Sequence, residues 1–183
     1  MGPRVIVFTD GACAGNPGPG GWAWAVDSGP SGSGCEAAST NQRMEVMAVL
    51  DALTTLLPLH DEVEVVSDST YVVNCFRDRW WAGWTARGWK NSQKQPVANQ
   101  DLWKPLIGLY RVNDRRVVFR WVKGHSGHPM NDLVDALAVR AAQLQEGRVV
   151  TGITPIVGDG ASAAGREVTP DTADGQPSLR LFD

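Results

Sequence analysis

Apolar residues recur along this chain with two periods, and the succession of the two predicts its elements. Short apolar runs bounded by Gly, Pro, Asp or Ser, such as Val5-Ile6-Val7-Phe8 and Val63-Glu64-Val65-Val66, predict strands at 5–9, 21–26, 34–39, 63–68 and 116–122. The first three are joined by short glycine-, proline- and serine-rich turns, which predicts a meander. The run at 63–68 lacks strict alternation, as a strand buried on both faces does. A longer period appears in Val46, Val49, Leu50, Leu53 and Leu57, which share one face of a helix that Thr40 or Asn41 can cap and Pro58 ends. Further helices are predicted from 69 to 76, up to about 110, and from Pro129, which suits a first helical turn, to 145. Three strands followed by alternating helix and strand predict an α/β fold, a mixed five-stranded sheet flanked by helices.

Composition sets the borders of this domain. With 183 residues, 43% of them apolar, the chain can build one core with an appendage. The domain is assigned to 1–147. Beyond it, residues 148–175 are rich in Gly, Ala, Ser, Thr, Asp and Pro without periodicity, which predicts a flexible linker. Residues 176–183 regain apolar anchors. No apolar stretch is long enough for a membrane span, and the N-terminus runs straight into a predicted strand with no room for a signal peptide. Cys13, Cys35 and Cys75 are scattered without metal-ligand spacing, as reduced thiols of a cytoplasmic protein would be. Nothing in the chain calls for more than a monomer.

Charge changes the picture through its distribution. The formal net charge is −3, yet residues 77–123 hold 11 basic against 3 acidic residues. The rest of the domain, 1–76 with 124–147, holds 3 basic against 12 acidic ones. A basic stretch beside an acidic centre is what a phosphate-gripping metal nuclease requires.

Four of the acids have the neighbours of a site. Asp10 closes the first apolar run and opens the glycine-rich turn 11–21, Asp68 closes the fourth, Glu45 opens the long helix, and Asp135 lies in the last helix. A carboxylate at a buried strand end is costly unless it is paired or holds a cation. Four of them converging would offer hard oxygen ligands to divalent metals, a chemistry suited to phosphodiester cleavage by two-metal-ion catalysis. Asp132, three residues before Asp135, is the rival for the fourth ligand. His125 lies on a glycine-flanked loop and carries an imidazole, a group that exchanges protons near neutral pH. The turn 11–21 is no Walker loop, since neither Gly-Lys-Ser/Thr nor a helix follows it.

The strings FTDGACAGNPGPGGW, TNQRMEVMA, SDSTYV, GWKNSQKQPVANQDLW and WVKGHSGHPMNDLVDALA, in this order, resemble type 1 ribonuclease H over about 4–145. The resemblance implies a ribonuclease H-like fold and an endonuclease cutting the RNA strand of RNA/DNA hybrids to leave 5′-phosphate and 3′-hydroxyl ends. It implies Asp10, Glu45, Asp68 and Asp135 as ligands of two Mg²⁺ ions, with Mn²⁺ able to substitute, and Asp10 bridging both. His125 matches the family's catalytic histidine, for proton movement or product departure. Asn16, Asn41 and Gln42 match residues that read 2′-hydroxyls in the minor groove. Asn99 matches a backbone contact and Thr40 a phosphate-pocket residue. The insertion 80–104, with five of the chain's eight Trp, resembles a basic protrusion in which Trp80, Trp84 and Lys90 would meet the DNA strand. Gly83 departs from the family, which often has Asn there. Two other readings remain open: a catalytically weak hybrid-binding module, and an integrase-like nuclease of the same fold.

The last stretch, Gln176-Pro177-Ser178-Leu179-Arg180-Leu181-Phe182, resembles the short peptide by which bacterial replication and repair proteins dock on the DNA polymerase sliding clamp. Gln176 would fix register while Leu179, Leu181 and Phe182 fill apolar pockets.

Overall fold

The computed structural model describes residues 4–153. In chain order its elements are β1 (Arg4–Cys13), β2 (Gly18–Val26), β3 (Ser31–Ser39), α1 (Asn41–Leu56), β4 (Glu62–Ser67), α2 (Thr70–Arg77), α3 (Trp80–Ala86), α4 (Gln100–Val112), β5 (Val117–Trp121), α5 (Pro129–Leu144) and β6 (Val149–Thr151). The strands form one mixed sheet in the order β5-β4-β1-β2-β3-β6. β1, β2 and β3 pair antiparallel as a meander, whereas β4 lies parallel to β1 and β5 parallel to β4. The expected α/β class and mixed sheet are therefore observed, with one strand more than the five expected. The sixth, β6, adds antiparallel to the edge of β3 within the stretch that composition alone assigns to the linker. Three residues are too few to show an alternating pattern, and their pairing comes from the neighbour already in place.

Two layers of side chains cover the sheet. On one face Val5, Val7, Trp22, Trp24, Val63 and Val65 meet Val46, Val49, Leu53 and Leu56 of α1, together with Trp103 and Leu106 of α4. On the other, Phe8, Ala25 and Val66 meet Val134 of α5 in a smaller cluster. The period of two along β1 puts Asp10 on the same face as Phe8, under α5. The starts of α1 and α2 follow ordinary capping chemistry. Thr40 Oγ1 accepts from Arg43 N at 3.3 Å, and Ser69 Oγ accepts from Val72 N at 3.3 Å. Arg43 then ties three elements together, pairing with Glu36 of β3 at 2.7 Å and Asp101 of α4 at 2.7 Å.

The sixth strand brings an unforeseen partner to a buried charge. Asp51 of α1 accepts from Trp24 Nε1 at 2.7 Å and from Arg148 Nε at 2.7 Å, and Arg148 also reaches Thr55 Oγ1 at 3.2 Å. The Asp51 side chain is 8% exposed, so losing the guanidinium strips a buried carboxylate of its ionic partner. Arg148→Ala is expected to lower stability by on the order of 1–2 kcal/mol, held down by Arg148's own exposure to solvent. Urea denaturation checks this; an unmoved midpoint would mean that Trp24 and water suffice for Asp51.

Among the described residues no helix is long and apolar enough to cross a membrane. The peptide 176–183, with Gln176, Leu179, Leu181 and Phe182, lies outside the described residues, as does most of the expected linker.

Candidate active site

Parallel pairing sets up the centre of the site. β1 and β4 are in register up to Thr9 opposite Ser67, and β4 and β5 up to Ser67 opposite Trp121. Asp10 and Asp68 are the next residues in each chain, side by side where the parallel strands finish. Open α/β sheets place their ligands at this edge. Asp10 is not at the strand's end, as its place after the apolar run suggests: β1 runs on to Cys13, paired there only with β2.

Close backbone approaches bring two helices to the same point. A Cβ on Gly11 would lie 2.3 Å from Glu45 N and 2.5 Å from Met44 C, so only a glycine lets the second turn of α1 press against β1. That contact seats Glu45 beside Asp10. On the opposite face, a Cβ on Gly21 would lie 2.2 Å from Ala138 O and 2.3 Å from Ala142 N. α5 thus rides directly on the β2 backbone, carrying Asp135 over the sheet. Asp135 is half-buried and Asp132 exposed.

The electrostatics report the convergence. Asp10 is 8% exposed, and its carboxyl is pushed up to about 8. Burial is the largest cause, and the charges of Asp68, Asp135 and Glu45 add to it, while the Gly11 N–H, donating at 2.7 Å, pulls the other way. Asp132 is not among the charges that raise it, so of the two acids on α5 it is Asp135 that acts on Asp10. Burial likewise raises the Glu45 carboxyl, opposed by the Ser69 hydroxyl that donates to Glu45 Oε2 and reinforced by Asp68. The neighbouring carboxylates thus make Asp10 and Glu45 harder to ionise, and no arginine or lysine among the described residues pairs with any of the four.

Two residues of the site were not singled out from the sequence. Ser69, which caps α2, also grips Glu45. Asn131, 2% exposed, donates from Nδ2 to Asp68 Oδ2 at 3.3 Å, while its Oδ1 is buried without a donor. Its spacing of four from Asp135 on one helix face was the available signal.

The histidines fall where the loop predicts. Gly124 lies against Asp68, since a Cβ there would come within 2.6 Å of Asp68 Oδ2. His125 follows it, exposed and in a left-handed conformation at φ 51°. His128 precedes α5, its ring 4.9 Å from Phe8, in keeping with a structural part.

The remaining candidates separate into groups. Asn16 Oδ1 accepts from Asn41 N at 3.3 Å, so the first turn and the exposed start of α1, with Thr40, Asn41 and Gln42, form one surface. Asn99 begins α4 in a left-handed conformation at φ 58°, with its side chain on the Tyr71 hydroxyl. Lys90 is exposed and bridges Pro96 in the insertion. The tryptophan pair does not act as one. Trp80 is 37% exposed, but Trp84 is 9% exposed and packs on Trp103 with ring centroids 5.5 Å apart. One helical face meets both solvent and core here, and only Trp80 keeps a ring free to stack. The absent Cβ of Gly83 is matched by Arg87, whose guanidinium would lie 3.0 Å from one.

Whether these residues suit divalent cations follows from their donors. Among the described residues no group of three or more His, Cys, Asp or Glu side chains is gathered closely enough to hold a metal ion by itself. The four acids nonetheless present hard oxygen atoms, and the unsatisfied Asn131 Oδ1 adds an acceptor. An excess of acceptors over donors is what a hydrated hard cation balances, and Mg²⁺, which keeps much of its water, does not require a cage. The residues present fit such an ion.

Comparison with known proteins agrees with this geometry. The sequence model of the RNase H family matches residues 2–143. Ribonuclease H of Syntrophomonas wolfei is 50% identical over 141 residues, 75% of this chain and 95% of that protein. Ribonuclease HI of Caulobacter vibrioides is 46% identical over 153 residues, 82% of this chain and all of its own length, 100%. Among solved structures, LC9-RNase H1, a type 1 RNase H with the type 2 active-site motif, matches with TM-score 0.69 at 32% identity, covering 83% of this chain and 79% of that one. The acidic strand edge, the helices seated on Gly11 and Gly21, and these matches over the same residues lead to one assignment: the chain belongs to the RNase H family.

Proposed function

We propose that this protein is an endonuclease that hydrolyses the RNA strand of RNA/DNA hybrids, leaving 5′-phosphate and 3′-hydroxyl ends, and that it works as a cytoplasmic monomer. The observation that carries the reading is Asp10, buried beneath three other carboxylates with its carboxyl pushed up to about 8. A group so destabilised in its charged form, with three acids of other elements acting on it, is the mark of a functional site. Curated relatives bear the name Ribonuclease H, and a structure of LC11-RNase H1 in complex with an RNA/DNA hybrid shares the fold at TM-score 0.58.

Asp10, Glu45, Asp68 and Asp135 would hold two Mg²⁺ ions, or Mn²⁺ in their place, which supply a nucleophilic water and charge stabilisation at the scissile phosphate. Ser69 and Asn131 orient Glu45 and Asp68 through the hydrogen bonds described above. As the oxygen of water joins phosphorus and gives up a proton to solvent, the bond to the ribose 3′-oxygen breaks, and that oxygen takes up a proton to become the 3′-hydroxyl. His125, exposed on its loop, would move that proton or help product leave. Asn16, Asn41 and Gln42 form the surface for the minor groove and its 2′-hydroxyls, while Thr40, Trp80, Lys90 and Asn99 meet the backbone. Trp84 supports Trp80 from the core.

The test is cleavage of an end-labelled hybrid with Mg²⁺, beside single-stranded RNA and duplex DNA. Cuts confined to the RNA of the hybrid are expected. Binding without cleavage would favour a hybrid-binding module, and cutting of duplex DNA an integrase-like nuclease. His125→Ala is expected to lower turnover by roughly 10²-fold with hybrid affinity nearly unchanged. A variant that loses affinity first would show that the loop grips substrate instead.

The C-terminal peptide is proposed to dock on the DNA polymerase sliding clamp through Gln176, Leu179, Leu181 and Phe182, on the strength of its sequence pattern. Tethering would raise the enzyme's local concentration on DNA. Deleting 176–183 is expected to abolish clamp binding, of about micromolar Kd as such short segments show, and to spare hydrolysis of short hybrids. Equal clamp affinity with and without the peptide would dispose of the idea.

A further inference from the structure

The end of α2, the start of α3 and the end of α4 enclose a recess that none of the four carboxylates lines. Its lining includes Arg77, Arg79, Trp81, Tyr110, Arg111 and Arg115. α2 starts beside Asp68 and leads away from it, so about 12 Å of helix separates the recess from the site. The floor is aromatic and rigid. Phe76 stacks flat on Phe119 at 4.1 Å and 3°, Tyr110 lies 4.8 Å from Phe76, and Trp81 meets the edge of Tyr110 at 6.2 Å.

Cations are held over this floor with few counter-charges. The guanidinium carbons of Arg79 and Arg111 lie 5.5 Å and 5.9 Å from the same Trp81 ring. Such stacking orders a guanidinium while leaving its N–H fork free for an anion. Arg77 pairs with Asp78, but Arg79, Arg111 and Arg115 form no ion pair among the described residues. Asp114 is the one acid in the lining. Trp81 Nε1 is buried without an acceptor. Arg79 itself sits at φ 55°, a costly conformation for a residue with a side chain, and such strain clusters where ligands are held. Arg79 also lines a second recess, with Trp80, Trp84 and Arg87, so guanidiniums continue from the insertion into this one.

We propose that the Arg79–Arg111–Arg115 recess seats a phosphate group of a nucleic-acid backbone, a contact distinct from those at the carboxylate site and reached only by a duplex that extends past it. Forked guanidiniums match phosphate oxygens in pairs, and an aromatic floor keeps them from collapsing onto other partners. This assignment rests on the hybrid reading above.

The test compares full-length wild type with the double variant Arg111→Gln/Arg115→Gln, both positions being solvent-exposed. Affinity and cleavage are measured separately on hybrids of about 10 and about 30 base pairs across a salt series. The variant is expected to cleave the short hybrid at the wild-type rate. It is expected to lose about tenfold in affinity for the long one and to show a salt slope shallower by about 1–2, one for each phosphate contact removed. Equal losses on both lengths, or none on the long hybrid, would overturn the proposal. A wild type that binds but does not cut would sink the hydrolase reading, while the length comparison would still decide this one.

Discussion

Asp10→Asn is expected to lower Mg²⁺-dependent hydrolysis by at least about 10³-fold while making the cation-free protein more stable, the reverse of what a structural carboxylate would do. The sign follows from the proton. In the folded chain the Asp10 carboxyl is held up at about 8, against an ordinary value of 3.8. Between those pH values the unfolded chain has released its proton and the folded chain still binds it. Stability therefore falls as pH rises through this window. The amide carries no charge, feels no repulsion from Asp68, Asp135 and Glu45, and can still accept from the Gly11 N–H. Thermal melts in chelator should show the wild type weakening from pH 4 towards pH 8, with the variant flatter and, at pH 8, more stable by on the order of a few kcal/mol. Adding Mg²⁺ should raise the wild-type Tm far more than the variant's, since a cation that binds the ionised site stabilises the fold by mass action. A variant that keeps most of its activity would remove Asp10 from the chemistry. One with parallel pH curves would show that the Asp10 carboxyl is not raised by its burial and its neighbours.

Gly21→Ala should damage the site from a position that carries no functional group. The new methyl would lie 2.2 Å from Ala138 O and 2.3 Å from Ala142 N, backbone atoms that cannot rotate aside. α5 must lift off β2, at about 1–3 kcal/mol for the overpacking. Asp135 moves with its helix, and a shift of about 1 Å in a catalytic group can cost roughly 10²-fold in rate. The expected result is a folded protein with a lowered Tm, a kcat down by about two orders of magnitude and nearly unchanged hybrid affinity, because Asn16, Asn41 and Trp80 lie on other elements. Normal kcat together with the lowered Tm would mean that Asp135 does not need its seat over the sheet.

The two predictions differ in how visible their residues were. Asp10 and Asp68 were legible because each interrupts an apolar run, and a charge at the end of a buried strand asks for a reason. Glu45 and Asp135 were legible only as members of recurring strings, since an acid on a helix is ordinarily a solvated one. Ser69 could be read as a cap, but not as the donor to Glu45, and Asn131 could not be read as the donor to Asp68. Both bonds join residues far apart in the chain.

By itself the sequence determined the two-period succession of elements, hence the mixed sheet with its flanking helices, because hydrophobic periodicity is a local property that each segment carries alone. It also determined the separation of an acidic centre from a basic insertion. The tertiary structure decided whatever depends on packing between distant segments. It recruited β6 to the edge of β3 and gave Asp51 its partner in Arg148. It split Trp80 from Trp84, since one face of a helix can span core and solvent, and it gathered Arg79 and Arg111 over a single indole, with Arg115 in the same recess. It also set the height of the Asp10 carboxyl, which comes from burial and from three charges contributed by other elements, none of which is expressed in the residues next to it.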